Sequence, residues 1–289
     1  MHSDSAKHQR PCAPSLIRLA GVLVLLAGIL LAAGLCTASP RGDNPVRTVF
    51  GTVLVASGAG TLNQLIERRF DAEMRRTARR PIAVGRIAPL SALIFGTLLS
   101  FSGVLSLALT VRPAASALAL LTLCGYLFLY TPLKRRTPLC TLVGAVTGAI
   151  PVLIGYAAVA GKLAARAWLL YTILFLWQFP HFMAMAWMYC DDYVRAGFQV
   201  LTQGPEKSQF VGRQSAIPTL ALVSVACVAI TLRHTHPVLV VGAVFLSLGF
   251  LYFAAKFALI RSNGSARRLL LVSVLYLPLV LLFQVLARA

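Results

Sequence analysis

Apolar residues occur along this chain in blocks of roughly twenty, each separated from the next by a short polar connection. A block of that length, wound as a helix, spans the hydrocarbon core of a bilayer. The blocks predict nine spans, at roughly 16–36, 46–66, 87–111, 114–132, 138–160, 167–189, 215–232, 237–260 and 268–287. The first is too long for the apolar core of a secretory signal, so it reads as a span. Residues 1–15 are polar and predict a mobile tail, and 16–289 predict one transmembrane domain. The fold class expected is all-α: a polytopic membrane protein, nine helices bundled around a central chamber. Pro151 and Pro180 interrupt two of the runs, and irregular helices in a bilayer are tolerated beside a cavity. Gly144, Gly148 and Gly155 read as small residues that let helices approach closely.

Composition excludes a soluble domain of this size, since the chain is 58% hydrophobic and 12% charged over 289 residues. A net charge of +19 would point to nucleic acid in a soluble protein. Here the basic residues sit between apolar runs, where lipid head groups and the orientation bias account for them, so no nucleic-acid partner is expected. With the N-terminus inside, most of the 27 basic residues fall on the inside face, leaving Arg41, Arg47, Arg112, Lys162, Arg166, Arg233 and Arg288 outside. This asymmetry predicts a cytoplasmic N-terminus and an external C-terminus. Glu67, Asp71, Glu73, Asp191, Asp192 and Glu206 also fall inside, which places the chemistry on that face. The six cysteines show no zinc-type spacing.

One stretch concentrates the chemistry, NQLIERRFDAEMRRTARRP at 63–81. Asn63, Glu67 and Asp71 stand four residues apart, so on a helix extended that far they share one face. Three oxygen donors in a row suit Mg²⁺, which is held by a few carboxylates while waters and phosphate oxygens complete its octahedron. Arg75, Arg76, Arg79 and Arg80 follow with planar, permanently charged forks for phosphate, and Lys134, Arg135 and Arg136 lie on another inside connection. The competing reading of these cations is a topology signal, which does not require the Asn/Glu/Asp row.

A second acidic pair, Asp191 and Asp192, follows the sixth run near Arg195. It reads either as the far side of a metal–diphosphate site, with Asp191 a further ligand, or as a solvated network with Arg195 and Lys207. His181 lies within an apolar run, where ionisable groups face the bundle interior or mark a ligand path. It reads equally as a hydrogen-bonded structural histidine or as a ligand or acid/base group. His234 and His236 read as an external loop.

The motifs N-x-x-x-E-x-x-x-D-A-x-M-x-R-T-x-x-R-P-I at 63–82, Y-T-P-L-K-R-R-T at 130–137, G-A-I-P-V-L-I-G-Y at 148–156, and W-Q-F-P-H-F at 177–182 followed by D-D-Y-V-R-A-G together resemble the protohaem IX farnesyltransferase (haem O synthase) family. That family belongs to the UbiA-type intramembrane prenyltransferases. The resemblance implies a helical bundle with a lipid-open chamber and Mg²⁺-dependent use of farnesyl diphosphate. It further implies transfer of the farnesyl group to a vinyl group of haem b, a bacterial inner-membrane location, and haem A synthase as the downstream partner. Haem b is then a substrate. It assigns catalytic roles to Asn63, Glu67, Asp71, His181, Asp191 and Asp192. Glu67 stands where the wider superfamily often has Asp, and the sparse second motif puts a firmly held second metal in doubt. A prenyltransferase for a quinone-precursor ring is the alternative within the class. A transporter of an anionic lipid or porphyrin is the alternative outside it, although no second copy of the Asn/Glu/Asp row appears.

Overall fold

The structure is a computed structural model and describes residues 45–200, 206–231 and 237–286. Every regular element among them is helical. In chain order these are α1 (Pro45–Glu73), α2 (Pro89–Thr110), α3 (Pro113–Leu133), α4 (Cys140–Ala160), α5 (Ala165–Met188), the short α6 (Cys190–Arg195), α7 (Glu206–Thr231), α8 (Pro237–Ile260) and α9 (Asn263–Leu286). Eight of the nine expected spans therefore meet a helix. The tail at 1–15, the span expected at 16–36, and His234 with His236 lie outside the described residues.

Seven of these helices are long and apolar enough to cross a membrane, and the molecule is an integral membrane protein. Its outward side chains fit that medium: Leu98, Phe101, Leu109, Phe128, Phe245 and Leu259 are exposed on helix surfaces that bilayer lipid would cover. The eighth long helix, α7, starts at Glu206 and not near 215, so the connection expected at 190–214 is largely helical. Residues 206–214 are polar but rich in Glu, Lys, Gln and Arg, which extend a helix beyond its apolar part.

Helices α4 and α5 form the centre. Within their apolar windows 72% and 56% of residues are buried, against 28% in α1, α2 and α8. On one side α5 packs against α7 and α9, and Leu170, Trp177 and Met183 of α5 share one core with Leu222 of α7, Phe250 and Phe257 of α8, and Tyr276 of α9. On the other side α4 meets α1, α2 and α3 through Ile150, Ile154, Val55, Leu107 and Ala119.

Contact between α1 and α2 is nearly backbone to backbone. A Cβ added at Gly58 would come within 2.7 Å of the Gly96 carbonyl, and one at Gly103 within 2.7 Å of the Gly51 carbonyl. Gly51 and Gly58 on α1 thus interleave with Gly96 and Gly103 on α2, each pair seven residues apart, the small-residue approach that membrane helices use where apolar burial gives no driving force. The last turns of α3 widen into a π-helix over Gly125–Tyr130, which stacks the rings of Tyr126 and Tyr130 with centroids 5.3 Å apart. Such widened turns recur at functional sites.

Candidate active site

Helix α1 runs past the apolar stretch to Glu73, which brings Asn63, Glu67 and Asp71 onto one inward face. All three are buried, with Asp71 only 1% exposed. Polar groups at that depth require partners. Asn63 Nδ2 donates to Glu67 Oε2 (3.0 Å), so its Oδ1 faces the Thr131 hydroxyl at 2.9 Å. That hydroxyl also lies 2.8 Å from the Tyr126 carbonyl and divides one proton between the two oxygens. Asn63 Oδ1 is thus the least committed oxygen of the row.

The carboxylates are held by cations from two directions. Lys134 Nζ, just beyond α3, donates to Glu67 Oε1 at 2.9 Å. After α1 ends, the chain turns tightly: Thr77 N and Ala78 N donate to the Met74 carbonyl, Arg80 N to the Thr77 carbonyl, and the Thr77 hydroxyl to the Asp71 carbonyl. This turn folds Arg80 back over the helix, where one guanidinium nitrogen donates to both Asp71 oxygens at 2.9 and 2.7 Å. All four carboxylate oxygens of Glu67 and Asp71 therefore accept from a side chain of the protein.

Burial works against the charge on Lys134, but the Tyr130 oxygen and the Glu67 carboxylate offset it, and its pKa is raised above the ordinary lysine range. The Lys134 ammonium also lies 4.4 Å from the Tyr130 ring centroid, a cation–π contact that adds to its retention.

The second acidic pair comes to the same mouth by one arm only. Asp192 Oδ2 accepts from the Arg76 backbone N–H at 3.4 Å and pairs loosely with Arg195 at 3.7 Å, while Asp191 is exposed. Arg76 is half-buried and leans on the Tyr189 ring. Arg75, Arg79 and Arg136 are exposed, and Arg135 spreads over the Phe70 ring at 4.2 Å. Gln199 N donates to the Lys134 carbonyl (2.7 Å), tying the segment after α6 to the turn after α3. Phe198, Ala196 and Met74 close over the site as a small apolar cluster. His181 is placed apart from these groups, on α5 facing α9, with its Nδ1 2.8 Å from Ser273 Oγ.

Two cavities meet here. A polar one of about 200 Å³ is lined by Asn63, Glu67, Asp71, Arg76, Arg80 and Lys134. An apolar one of about 400 Å³ lies between α1, α3, α4 and α5, lined by Val55, Ala59, Gly60, Leu123, Pro151 and Ile154 among others. Tyr126, Tyr130 and Phe182 line both and form the neck between them. Sequence reasoning missed that neck, Thr131 and the cavity-lining Gln178, whose amide donates to the Ala145 and Leu174 carbonyls. A lone glutamine in an apolar run was the signal that would have found the last.

The donor set also answers what cation the row would take. Among the described residues no three His, Cys, Asp or Glu side chains form a metal cluster. Two carboxylates and one amide oxygen on a single helix face are an incomplete set of hard donors, which fits Mg²⁺ completed by water and phosphate oxygens better than a metal with a full protein cage.

A charged pocket adjoining an apolar chamber, carried by membrane helices, defines an intramembrane protein suited to a molecule with an anionic head and an apolar tail. The chain belongs to the UbiA prenyltransferase family, which matches residues 21–278. It is 47% identical over 235 residues to a protoheme IX farnesyltransferase of Solibacter usitatus, covering 81% of this chain and 80% of that protein. It is 41% identical over 249 residues to one of Salinibacter ruber, covering 85% and 88%. In fold it resembles digeranylgeranylglyceryl phosphate synthase, with a TM-score of 0.73 at 15% identity over 94% of this chain and 95% of that one. It also resembles a UbiA homolog from Archaeoglobus fulgidus bound to GPP and Mg²⁺, with a TM-score of 0.64 at 14% identity over 95% and 99%.

Proposed function

We propose that this protein transfers the farnesyl group of farnesyl diphosphate to a vinyl group of haem b and adds water, releasing diphosphate and giving haem O. The observation that supports this most directly is that the polar and apolar cavities adjoin, sharing Tyr126, Tyr130 and Phe182 in their walls, an arrangement that matches a charged diphosphate joined to a prenyl tail. Relatives that share this chain's length and bear the protoheme IX farnesyltransferase name support the choice of acceptor.

Asn63, Glu67 and Asp71 would hold Mg²⁺, which would supply charge neutralisation to the leaving diphosphate, while Asp191, expected as a further ligand, is exposed and does not line the pocket. Lys134, Arg80 and Arg76 line the pocket where the phosphate oxygens would lie, with Arg75, Arg79, Arg135 and Arg136 around its rim, and stabilise the charge that develops as the C–O bond breaks. The apolar walls keep water from the allylic cation. The vinyl π electrons of haem b then form the new C–C bond, and the cation left on the porphyrin side chain takes up water and loses a proton. His181 meets the porphyrin from α5. The active-site connections and the N-terminus face the cytoplasm of a bacterial inner membrane, with the C-terminus outside. Haem A synthase is the downstream partner.

The test is direct: protein purified in detergent is given Mg²⁺ and farnesyl diphosphate with either haem b or 4-hydroxybenzoate. Mass spectrometry should find a farnesylated, hydrated haem and no prenylated benzoate. Prenylated benzoate as sole product would overturn the acceptor.

A further inference from the structure

His181 is separated from the diphosphate pocket but is not idle in the packing. Its ring stacks on Trp177, with centroids 5.0 Å apart and 27° between planes, and meets the edge of Phe182. Trp177 Nε1 donates to the main-chain carbonyl of Ser273 on α9 (2.7 Å), while the Ser273 hydroxyl lies 2.8 Å from His181 Nδ1. One serine thus fixes both rings, one through its backbone and the other through its side chain.

The proton positions follow from a count. Ser273 Oγ also lies 2.7 Å from the Leu270 carbonyl. Two oxygens at that distance need a proton between them, and a carbonyl has none to give. The hydroxyl spends its single proton on Leu270, so the 2.8 Å contact to His181 is a bond donated by Nδ1–H. In the neutral imidazole the lone pair is then on Nε2. Among the described residues Nε2 has no hydrogen-bond partner, and the side chain is only half-buried.

We propose that Ser273 is a positioning residue of the acceptor site: it holds His181 with its proton on Nδ1, so that Nε2 presents a lone pair to the iron of the bound metalloporphyrin. This rests on the haem-directed reading given above. Histidines that bind metals generally donate the second ring nitrogen to an oxygen, which fixes the tautomer and raises the basicity of the ligating one. Here that arrangement is built before any porphyrin arrives, from residues 92 positions apart.

Ferric haem b titrated into the purified protein, without prenyl donor, tests this through affinity and the Soret and EPR spectra. Ser273→Ala should weaken haem binding about 10- to 100-fold, the usual effect of losing such a partner, and shift the Soret band away from that of the parent protein. Ser273→Thr, which keeps the hydroxyl, should restore both. The Trp177 bond goes to the main chain and survives either substitution, so the thermal midpoint serves as a folding control. If Ser273→Ala binds haem with parental affinity and spectrum while His181→Ala does not, or if Ser273→Thr fails as badly as Ala, the positioning role is wrong and the haem-directed reading stands. If His181→Ala keeps the parental spectrum, the contact between His181 and iron falls, and the positioning role falls with it.

Discussion

Lys134 and Glu67 are 67 residues apart in the chain, and their charged atoms are 2.9 Å apart across the mouth of the chamber. This pair joins the end of α3 to the inward face of α1 with side chains 15% and 6% exposed. Removing one partner of a buried pair strands the other charge, at about 3–5 kcal/mol when fully buried. Lys134→Ala should therefore lower the thermal midpoint in detergent and raise KM for farnesyl diphosphate. Combining Lys134→Gln with Glu67→Gln should recover stability but not turnover. A double variant no more stable than the single ones would show that the pair is not a coupled unit.

The same pair gives a pH expectation. The folded pKa of Lys134 lies above its ordinary value of 10.5. Its contribution to stability is therefore complete below about 10 and is lost only as pH rises through the higher folded value. A pH profile of turnover between 7 and 9 should carry no limb that disappears in Lys134→Arg, a substitution that keeps the charge.

Because every oxygen of Glu67 and Asp71 already accepts from a protein donor, a metal ion alone competes for the same carboxylates with Lys134 and Arg80. Diphosphate arriving with the metal gives them new acceptors. Mn²⁺ binding followed by EPR should be weak alone and tighten at least tenfold with inorganic pyrophosphate, and Arg80→Ala should strengthen the pyrophosphate-free binding. Equal Mn²⁺ affinity with and without pyrophosphate would rule out this exchange of partners.

Asp71→Asn should abolish farnesyl transfer while leaving membrane insertion intact, since the side chain lies at the end of α1 in the polar pocket. Full Mg²⁺-dependent turnover by this variant would remove Asp71 from the site.

The apolar chamber offers a test of tail length at Gly60, which lines it and where an added Cβ meets nothing within 4 Å. Gly60→Ala should fold at least as well as the parent, gaining about 0.5–1 kcal/mol from the lost helical glycine. Gly60→Leu should fold but prefer geranyl over farnesyl diphosphate in competition assays. Unchanged preference would mean that the tail does not pass this wall.

The helices were legible because an apolar run of span length has few other uses, and the Asn63/Glu67/Asp71 face followed from four-residue spacing once α1 was long enough. What could not be read were features set by contacts between distant segments. Arg80 differs from Arg75 and Arg79 only by where the turn at 74–80 leaves it, and nothing local marks it as the partner of Asp71. The π-helix at Gly125–Tyr130 has the same apolar composition as an α-helix, so the stacked pair at the neck was invisible. Ser273 reads as one small polar residue in an apolar run, yet it meets His181. The glycines singled out beforehand, Gly144 and Gly148, do lie against Tyr130 and Gln178, but the closer approach of α1 and α2 was overlooked.

That approach divides the pocket into two mechanical halves. Asn63, Glu67 and Asp71 ride on a helix locked to its neighbour at Gly58 and Gly103, where main-chain atoms of the facing helix leave no room for a Cβ, so the row behaves as an anvil. Arg80 and Lys134 sit on a turn and a helix end, at the tips of long flexible stems. On the function proposed above, substrate capture requires only the cations to travel, and the spacing of the oxygens stays set by the pitch of a single helix.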